Sequence, residues 1–169
     1  MALIKEINGI TPQIPNDCYV AENATILGNV VFGEKCSVWY NAVIRGDVNA
    51  ITIGNKVNIQ DGAVIHCTYL KHPTSIGNNV SIGHNAIVHG CIIEDDVLIG
   101  MGAIVMDNCI VKSNVIIGAG SVVTQNSILE SNAIYAGIPA RKVKDLDASD
   151  FKGEIQRIAN NYVMYASWQ

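Results

Sequence analysis

The sequence has little charge: charged residues make up 15% of its 169 residues, whereas hydrophobic residues make up 49%. Such an apolar composition predicts a folded chain in which most residues are packed. The lysines and arginines form no cluster and the formal net charge is −4, so the basic footprint of a nucleic-acid-binding protein is missing. No run reaches the roughly 20 apolar residues that a helix needs to cross a bilayer. We therefore expect neither a nucleic-acid partner nor a membrane partner.

The sequence also lacks a pairing pattern among its cysteines: their number is odd, and no two of them form a CxxC motif. The five are Cys18, Cys36, Cys67, Cys91 and Cys109. This spacing argues against a disulfide framework and a thiolate zinc site, and it favours buried reduced thiols.

The first nine residues, MALIKEING, have no long apolar core and do not resemble a signal peptide. A cytoplasmic protein is the default expectation.

A six-residue periodicity runs through most of the chain. Large apolar residues recur at every sixth position in four runs, and the last run keeps one phase for 43 residues, from Ile93 to Tyr135. A sandwich of alternating strands is the alternative, but its hairpins would not keep one phase over that length. The sequence therefore predicts a mainly β fold, a parallel β-helix with three strands per coil and coils stacked ~4.8 Å apart.

Glycine often follows the large apolar residue of a repeat. Such glycines fit sharp corners, where a side chain would clash or where φ is positive. Six positions follow this pattern: Gly33, Gly54, Gly77, Gly83, Gly100 and Gly118.

The flanks of the repeats predict two further elements. Residues 1–146 are assigned to the β-helix domain, with hexapeptide repeats over about 18–140, and residues 147–169 to a C-terminal helix that packs on it. The stretch with Pro12 and Pro15 is expected to add an irregular strand over the first coil, because open sheet edges must be blunted. Ser149 or Asp147 is the candidate N-cap of the helix. Its apolar stripe consists of Phe151, Ile155, Ile158, Tyr162 and Tyr165.

All four histidines lie within residues 66–90. Three repeats per coil place His66 and His89 at equivalent positions of neighbouring coils, ~4.8 Å apart in backbone spacing. Two imidazoles at that spacing can share a metal ion with nitrogen bonds of ~2.0–2.1 Å. His84 falls on the adjoining side, ~16 Å along an extended segment, so it should not reach that ion within one chain. His72 falls in a five-residue insertion and is expected to be a loop residue.

A cyclic trimer would bring His84 to the ion of a neighbouring chain. Each of the three interfaces would then hold His66 and His89 from one subunit and His84 from the next. The same packing would set Arg45 beside the neighbour's Asp61, and an Arg–carboxylate pair is geometrically favoured. Outward histidines of a solenoid can also be merely solvated, but the matching columns favour a homotrimer with shared metal sites.

Four segments surround or contain the histidines: RGD at 45–47, NIQDG at 58–62, His66 and GHNAIVHG at 83–90. Together they resemble the γ-class carbonic anhydrases of the hexapeptide-repeat family. The resemblance implies a left-handed β-helix and a hydro-lyase that interconverts carbon dioxide and bicarbonate. It also implies Zn2+ ligands at His66, His84 and His89, although Fe2+ or Co2+ can substitute in some relatives. The AGIPARKV ending, residues 136–143, is shared with other hexapeptide proteins, including acyltransferases. The discriminating residues are the three histidines together with Arg45, Asp47, Gln60 and Asp61.

The resemblance also implies roles for the residues around the ion. Gln60 would hydrogen-bond metal-bound solvent, and Arg45 would bridge to Asp47 and to the neighbour's Asp61 and help to place bicarbonate. Three neutral imidazoles would leave a coordination position of the ion open, and a water bound there, with its pKa lowered to ~7, would supply hydroxide to attack carbon dioxide. The C-terminal helix would bring one of two residues near the metal, Asn161 or Tyr162.

The sequence departs from this family where protons must leave the site. The best-studied enzyme of the class has a glutamate after its RGD and an acidic loop, whereas Val48 follows Asp47 here and the loop CTYLKHPTS contains no carboxylate. Tyr69 or His72 are the candidates to replace them, since histidine titrates near neutrality.

The sequence leaves three functions open. The first is a metal-dependent carbonic anhydrase. The second is an acyl-CoA thioesterase or hexapeptide acyltransferase that uses the same cleft between subunits. The third is a weakly active or non-catalytic homologue that keeps the metal. Hexapeptide acyltransferases generally use one histidine as a base, so the three histidines count against acyl transfer.

Overall fold

A computed structural model of the chain describes residues 1–146 and 152–169, in which short strands joined by turns are wound into a coil. The elements in chain order are β1 (Leu3–Lys5), β2 (Tyr19–Val20), β3 (Thr25–Phe32), β4 (Ser37–Val38), β5 (Val43–Ile53), β6 (Asn58–Ile59), β7 (Val64–His66), β8 (Thr74–Ile76), β9 (Ser81–Ile82), β10 (Ile87–His89), β11 (Ile92–Ile93), β12 (Val97–Ile99), β13 (Ile104–Val105), β14 (Ile110–Val111), β15 (Val115–Ile117), β16 (Val122–Val123), β17 (Ile128–Leu129), β18 (Ala133–Ala136), β19 (Arg141–Asp145) and α1 (Lys152–Ala166).

The strands form three flat sides, which we name a, b and c. Side a contains β2, β4, β6, β9, β12, β15 and β18. Side b contains the first halves of β3 and β5, then β7, β10, β13 and β16, and side c contains their second halves, then β8, β11, β14 and β17. Neighbouring strands within these sides are parallel. The predicted parallel β-helix is thereby confirmed.

The predicted coil register is also confirmed. On side b, Ile65 pairs with Ile44 and with Val88, and Val88 pairs with Val105. The insertions after Ile44 and Ile65 therefore do not disturb the phase. Side a keeps its phase in the same way through Val38, Ile59, Ile82, Ile99 and Ile117.

The inside of the coil is a column of buried isoleucine, valine, alanine and cysteine side chains. Among the residues other than glycine, left-handed φ angles occur mainly at asparagine, as at Asn79 and Asn85, because a short amide side chain tolerates that conformation. The six repeat glycines do not have positive φ. Close approach explains them instead: a Cβ at Gly83 would lie 2.7 Å from the backbone nitrogen of Met101 in the next coil.

Extra strands cover sheet edges at both ends of the coil. β1 pairs in parallel with β3, where Leu3 lies opposite Thr25, and Gln13 forms a bridge with Val31. The predicted irregular N-terminal strand is thus present. At the other end, β19 pairs antiparallel with β18. These strands pair backbone groups that would otherwise form open edges.

The C-terminal helix α1 packs on side a, where it contacts β4 and β9. Ile155 and Ala159 are buried, and the ring of Tyr162 meets that of Trp39 edge-on with centroids 5.5 Å apart. The buried face is therefore centred on Ile155 and Ala159, slightly rotated from the predicted stripe. No helix in the described ranges has the length and apolar character needed to cross a bilayer. Three residues assigned to this helix or its cap lie outside the described residues: Asp147, Ser149 and Phe151.

Candidate metal centre

Two histidines form a stacked pair on side b. His66 in β7 and His89 in β10 are register partners, and both point outward because the alternating neighbours Ile65 and Val88 are buried in the core. Nδ1 of His66 lies 3.0 Å from Nε2 of His89, and the ring centroids are 5.0 Å apart. The stacking predicted from the repeat count is confirmed.

A carboxylate lies behind each ring of the pair. Oδ1 of Asp47 is 3.1 Å from Nε2 of His66, and Oδ1 of Asp107 is 3.0 Å from Nδ1 of His89. Arg45 Nη1 donates to Oδ2 of Asp47 at 2.5 Å. The Arg45–Asp47 bridge implied by the family resemblance is therefore present within one chain, and the histidines and carboxylates form one continuous row.

Asp107 was not among the residues singled out from the sequence. It follows β13, one coil beyond His89, and it accepts a hydrogen bond from the Thr68 hydroxyl. Room for its carboxylate depends on Gly90, because a Cβ there would lie 2.4 Å from Oδ1 of Asp107. A glycine directly after a predicted ligand is the signal that could have pointed to a second polar group at this place.

The row contains ionised carboxylates and a histidine that favours its neutral form. Burial opposes the charged form of Asp47, but hydrogen bonds from Arg45 and His66 outweigh it and lower the pKa of this carboxyl. The pKa of Asp107 is lowered in the same way, by Thr68 and His89 against burial. Burial lowers the pKa of His66, and the nearby Arg45 charge adds to this although Asp47 opposes it.

The stacked pair fits a divalent metal ion. Each carboxylate can accept a proton from the outer nitrogen of its ring, and the two inner nitrogens lie at hydrogen-bond distance from each other. An ion that displaced the proton between the inner nitrogens would meet a lone pair on each. Two nitrogens bound to one tetrahedral zinc ion at ~2.0–2.1 Å lie about 3.3 Å apart, close to the 3.0 Å between His66 and His89. A carboxylate behind the imidazole is the usual support of a metal-binding histidine.

His84 belongs to a separate half of the candidate site. It lies in the turn between β9 and β10, and its Nδ1 is 2.8 Å from Oδ2 of Asp61. This contact leaves Nε2 as the atom that could bind a ligand. Within the described part of one chain, no three histidine, cysteine, aspartate or glutamate side chains converge on a common metal position, so His84 does not join His66 and His89 there.

Gln60 and Tyr162 lie on the same side as His84. Gln60 is buried, and its Nε2 donates to Oδ1 of Asn58 at 2.9 Å. Burial raises the pKa of Tyr162, and the nearby charge of Asp61 adds to the effect. Asn161 is half-buried on α1. The implied site residues are therefore divided: Arg45 and Asp47 accompany the stacked pair, whereas Gln60, Asp61 and Tyr162 accompany His84.

The two candidates for proton transfer occupy different places in the loop after His66. Tyr69 is 66% exposed at the tip of the loop. His72 forms a backbone bridge with Thr68 and is half-buried. Its own Cβ would meet a Cβ placed on Gly90 at 3.0 Å. Of these two residues, His72 is therefore the one that lies beside the row containing His89.

Several known proteins that resemble this chain share its fold, and they are named either carbonic anhydrases or transferases. Residues 90–125 match the family model for bacterial transferase hexapeptide (six repeats). A carbonic anhydrase from Geobacillus kaustophilus is 43% identical over 161 residues, which cover 95% of this chain and 87% of the relative. A mitochondrial protein of Arabidopsis thaliana, gamma carbonic anhydrase 1, is 38% identical over 89% of this chain and 56% of its own length. A solved structure of a putative acetyltransferase from Bacillus cereus superposes with a TM-score of 0.94 at 37% identity and covers 99% of both chains.

Proposed function

The chain belongs to the γ-class carbonic anhydrases, a group of hexapeptide-repeat proteins whose left-handed β-helix its fold matches, and we propose that it catalyses the reversible hydration of carbon dioxide to bicarbonate with a divalent metal ion. The observation that carries the proposal is the stacked pair, in which His66 Nδ1 and His89 Nε2 lie 3.0 Å apart and each ring has a carboxylate behind it. Zn2+ suits neutral imidazole ligands, and Fe2+ or Co2+ would accept the same set.

We assign the third ligand to His84 of a neighbouring chain in a homotrimer. His84 Nδ1 is held by Asp61, so Nε2 is the atom that would face the neighbour. Since His84 does not meet the stacked pair within one chain, a complete three-histidine site requires a second copy. Cyclic packing of side b against the side-a corner of the next subunit would make three identical sites.

An apolar row on side b supports a second copy as the partner. Outward-facing side chains in neighbouring coils stack in register next to the histidines. Ile87, two residues before His89, is exposed in the single chain. Covering such a row with a neighbour would remove apolar surface from water. The row consists of Val43, Val64, Ile87, Ile104 and Val122.

The residues of this chain hold and orient the reactants. When bound, the metal ion supplies the Lewis acidity that makes water a nucleophile near neutral pH. Asp47 holds the ring of His66, and Gln60 would offer its amide oxygen to solvent, because its amide nitrogen already donates to Asn58. Arg45, whose side chain is 42% exposed, would place a bicarbonate oxygen through the guanidinium group.

We assign proton removal to His72. Each hydration cycle releases a proton, and an imidazole group is a common carrier of protons to solvent. Loop residues 67–75 contain no carboxylate. His72 lies beside Gly90 at the edge of the row, whereas Tyr69 is at the exposed loop tip.

Acyl transfer or thioester hydrolysis is the second candidate, since a similar structure is named a putative acetyltransferase. A histidine that acts as a general base needs a nitrogen free to take the substrate proton. The inner nitrogens of His66 and His89 instead face each other at 3.0 Å. This arrangement favours metal binding over a single catalytic base.

Stopped-flow measurement of carbon dioxide hydration by the zinc-loaded protein tests the proposal, with the His84→Ala variant as the control. We expect the wild-type protein to hydrate carbon dioxide and to contain one zinc ion per chain by elemental analysis, and the variant to lose both properties. A wild-type protein that contains zinc but is no faster than the variant would refute the enzymatic proposal. A metal-free protein that hydrolyses or transfers an acyl group from acyl-CoA would favour the second candidate.

A further inference from the structure

We propose that Asp107 is a positioning residue that fixes the ring and the proton of His89, so that Nε2 of His89 is presented to the metal ion. This inference rests on the proposed function, but it concerns a contact within one chain. The carboxylate comes from a coil beyond His89, 18 residues further along the sequence, with its Oδ1 3.0 Å from Nδ1 of His89.

Asp107 is itself held in place. Its Oδ1 accepts a hydrogen bond from Thr68, which lies two residues after His66 in the chain, and its side chain is only 16% exposed. A carboxylate that is restrained on one side by a hydroxyl group accepts a hydrogen bond in a fixed direction.

The hydrogen bond that Asp107 accepts from His89 decides which nitrogen of His89 carries the proton. A neutral imidazole has one N–H donor and one acceptor, and the partner of one nitrogen sets the state of the other. With the proton on Nδ1 and directed at Asp107, Nε2 carries the lone pair, and this is the atom that faces His66. Asp47 does the same for His66 from the coil below, through the opposite ring nitrogen. The two carboxylates thus present the two inner nitrogens together.

The full-length protein provides the test in its metal-free form. Long-range proton–nitrogen correlation spectra of 15N-histidine-labelled protein should show His89 protonated at Nδ1 in the wild type. In Asp107→Ala we expect His89 to shift towards the Nε2-protonated form. Competition with a chelator should show about 10- to 100-fold weaker zinc binding in this variant, as is typical when the carboxylate behind a ligand is lost.

Asp96→Ala is the matched control. Asp96 is a half-buried carboxylate that accepts hydrogen bonds from Asn79 and Gln156. Its replacement by alanine should change neither the His89 spectrum nor the affinity for zinc. If Asp107→Ala fails to fold by circular dichroism, Asp107→Asn keeps the shape of the side chain without its charge. It should shift zinc affinity in the same direction by a smaller factor.

Two results separate this inference from the proposed function. An unchanged His89 tautomer together with unchanged zinc affinity in the Asp107 variants would overturn the positioning role, even in an active enzyme. A wild-type protein that binds no zinc would refute the metal proposal. The tautomer shift between wild type and Asp107→Ala would then decide the positioning role by itself.

Discussion

The two halves of the candidate site differ in how firmly contacts within one chain hold their histidine side chains. The stacked pair, His66 and His89, is held between Asp47 and Asp107, and the His66 side chain is only 16% exposed. His84 has the carboxylate of Asp61 as its partner and is 41% exposed. One chain therefore holds two of the three proposed ligands in place, whereas the third proposed ligand lies at a corner that faces outward.

Coil geometry explains this difference. Equivalent positions of neighbouring coils are separated only by the strand spacing of ~4.8 Å, so side chains in one column meet without further help. Adjoining sides of a convex coil point in different directions, and residues on them diverge. A third ligand from an adjoining side can meet the first two only through another molecule, which is the reason to expect shared sites.

The largest effect is expected when one proposed ligand is removed from either half of the site. His66→Ala and His84→Ala should each lose nearly all zinc, because each destroys one half of every site. When the two variants are assembled together, about one quarter of the wild-type zinc should return, since random mixing places an intact His66 beside an intact His84 at one interface in four. Elemental analysis of the mixed trimers measures this recovery. No recovery would contradict shared sites.

The apolar row beside the stacked pair gives the next largest effect. Ile87→Glu would place an unpaired charge in the proposed interface, which is strongly unfavourable when buried, so the trimer should dissociate and zinc should be lost with it. Ile128→Glu is the matched control, because Ile128 is also exposed but lies on side c. Size-exclusion chromatography with light scattering compares their masses. Equal masses for both variants would mean that side b is not the interface.

Acidification should destabilise the metal-free protein through the stacked pair. The folded-state pKa values of Asp47 and Asp107 are lowered, so their contribution is present above the unfolded value of about 3.9 and is lost as the pH falls through the folded values. The pKa of His66 is also lowered, so below about 6.5 the unfolded chain takes up its proton first and stability falls.

Urea unfolding between pH 7 and pH 3 measures this dependence. The double variant Asp47→Asn, Asp107→Asn should lose less stability across the acid part of the range than the wild type does. An identical decline in both proteins would mean that these carboxylates do not carry the acid sensitivity.

The smallest effect should come from the hydroxyl group that holds Asp107. Thr68→Val removes one hydrogen bond and should lower the free energy of unfolding by about 1 kcal/mol, with a modest loss of zinc affinity. Thr52→Val is the control, because its hydroxyl makes an exposed 3.3 Å contact with Ser75 on side c, and we expect a change within about 0.5 kcal/mol. A Thr68 variant that matches the Thr52 variant in stability and zinc binding would argue against a restrained Asp107.

The helix shows where prediction from the sequence loses accuracy. Apolar spacing predicted a C-terminal helix, and α1 is present, but its buried face is centred on Ile155 and Ala159. A small residue such as Ala159 contributes little to a hydrophobic pattern, yet it allows the helix to approach side a closely. The proposed roles of Gln60 and Tyr162 stay predictions, since they depend on a neighbouring chain.

The sequence by itself determined the coil register, because one large apolar residue in six must face a narrow interior and every outward residue then follows. His66 and His89 were placed in one column on that basis. Only the tertiary structure decided that Asp107 stands behind His89 and that Thr68, 39 residues away, holds it. Those contacts depend on the path of the loop after His66 and on side-chain rotamers, which a repeat pattern does not specify.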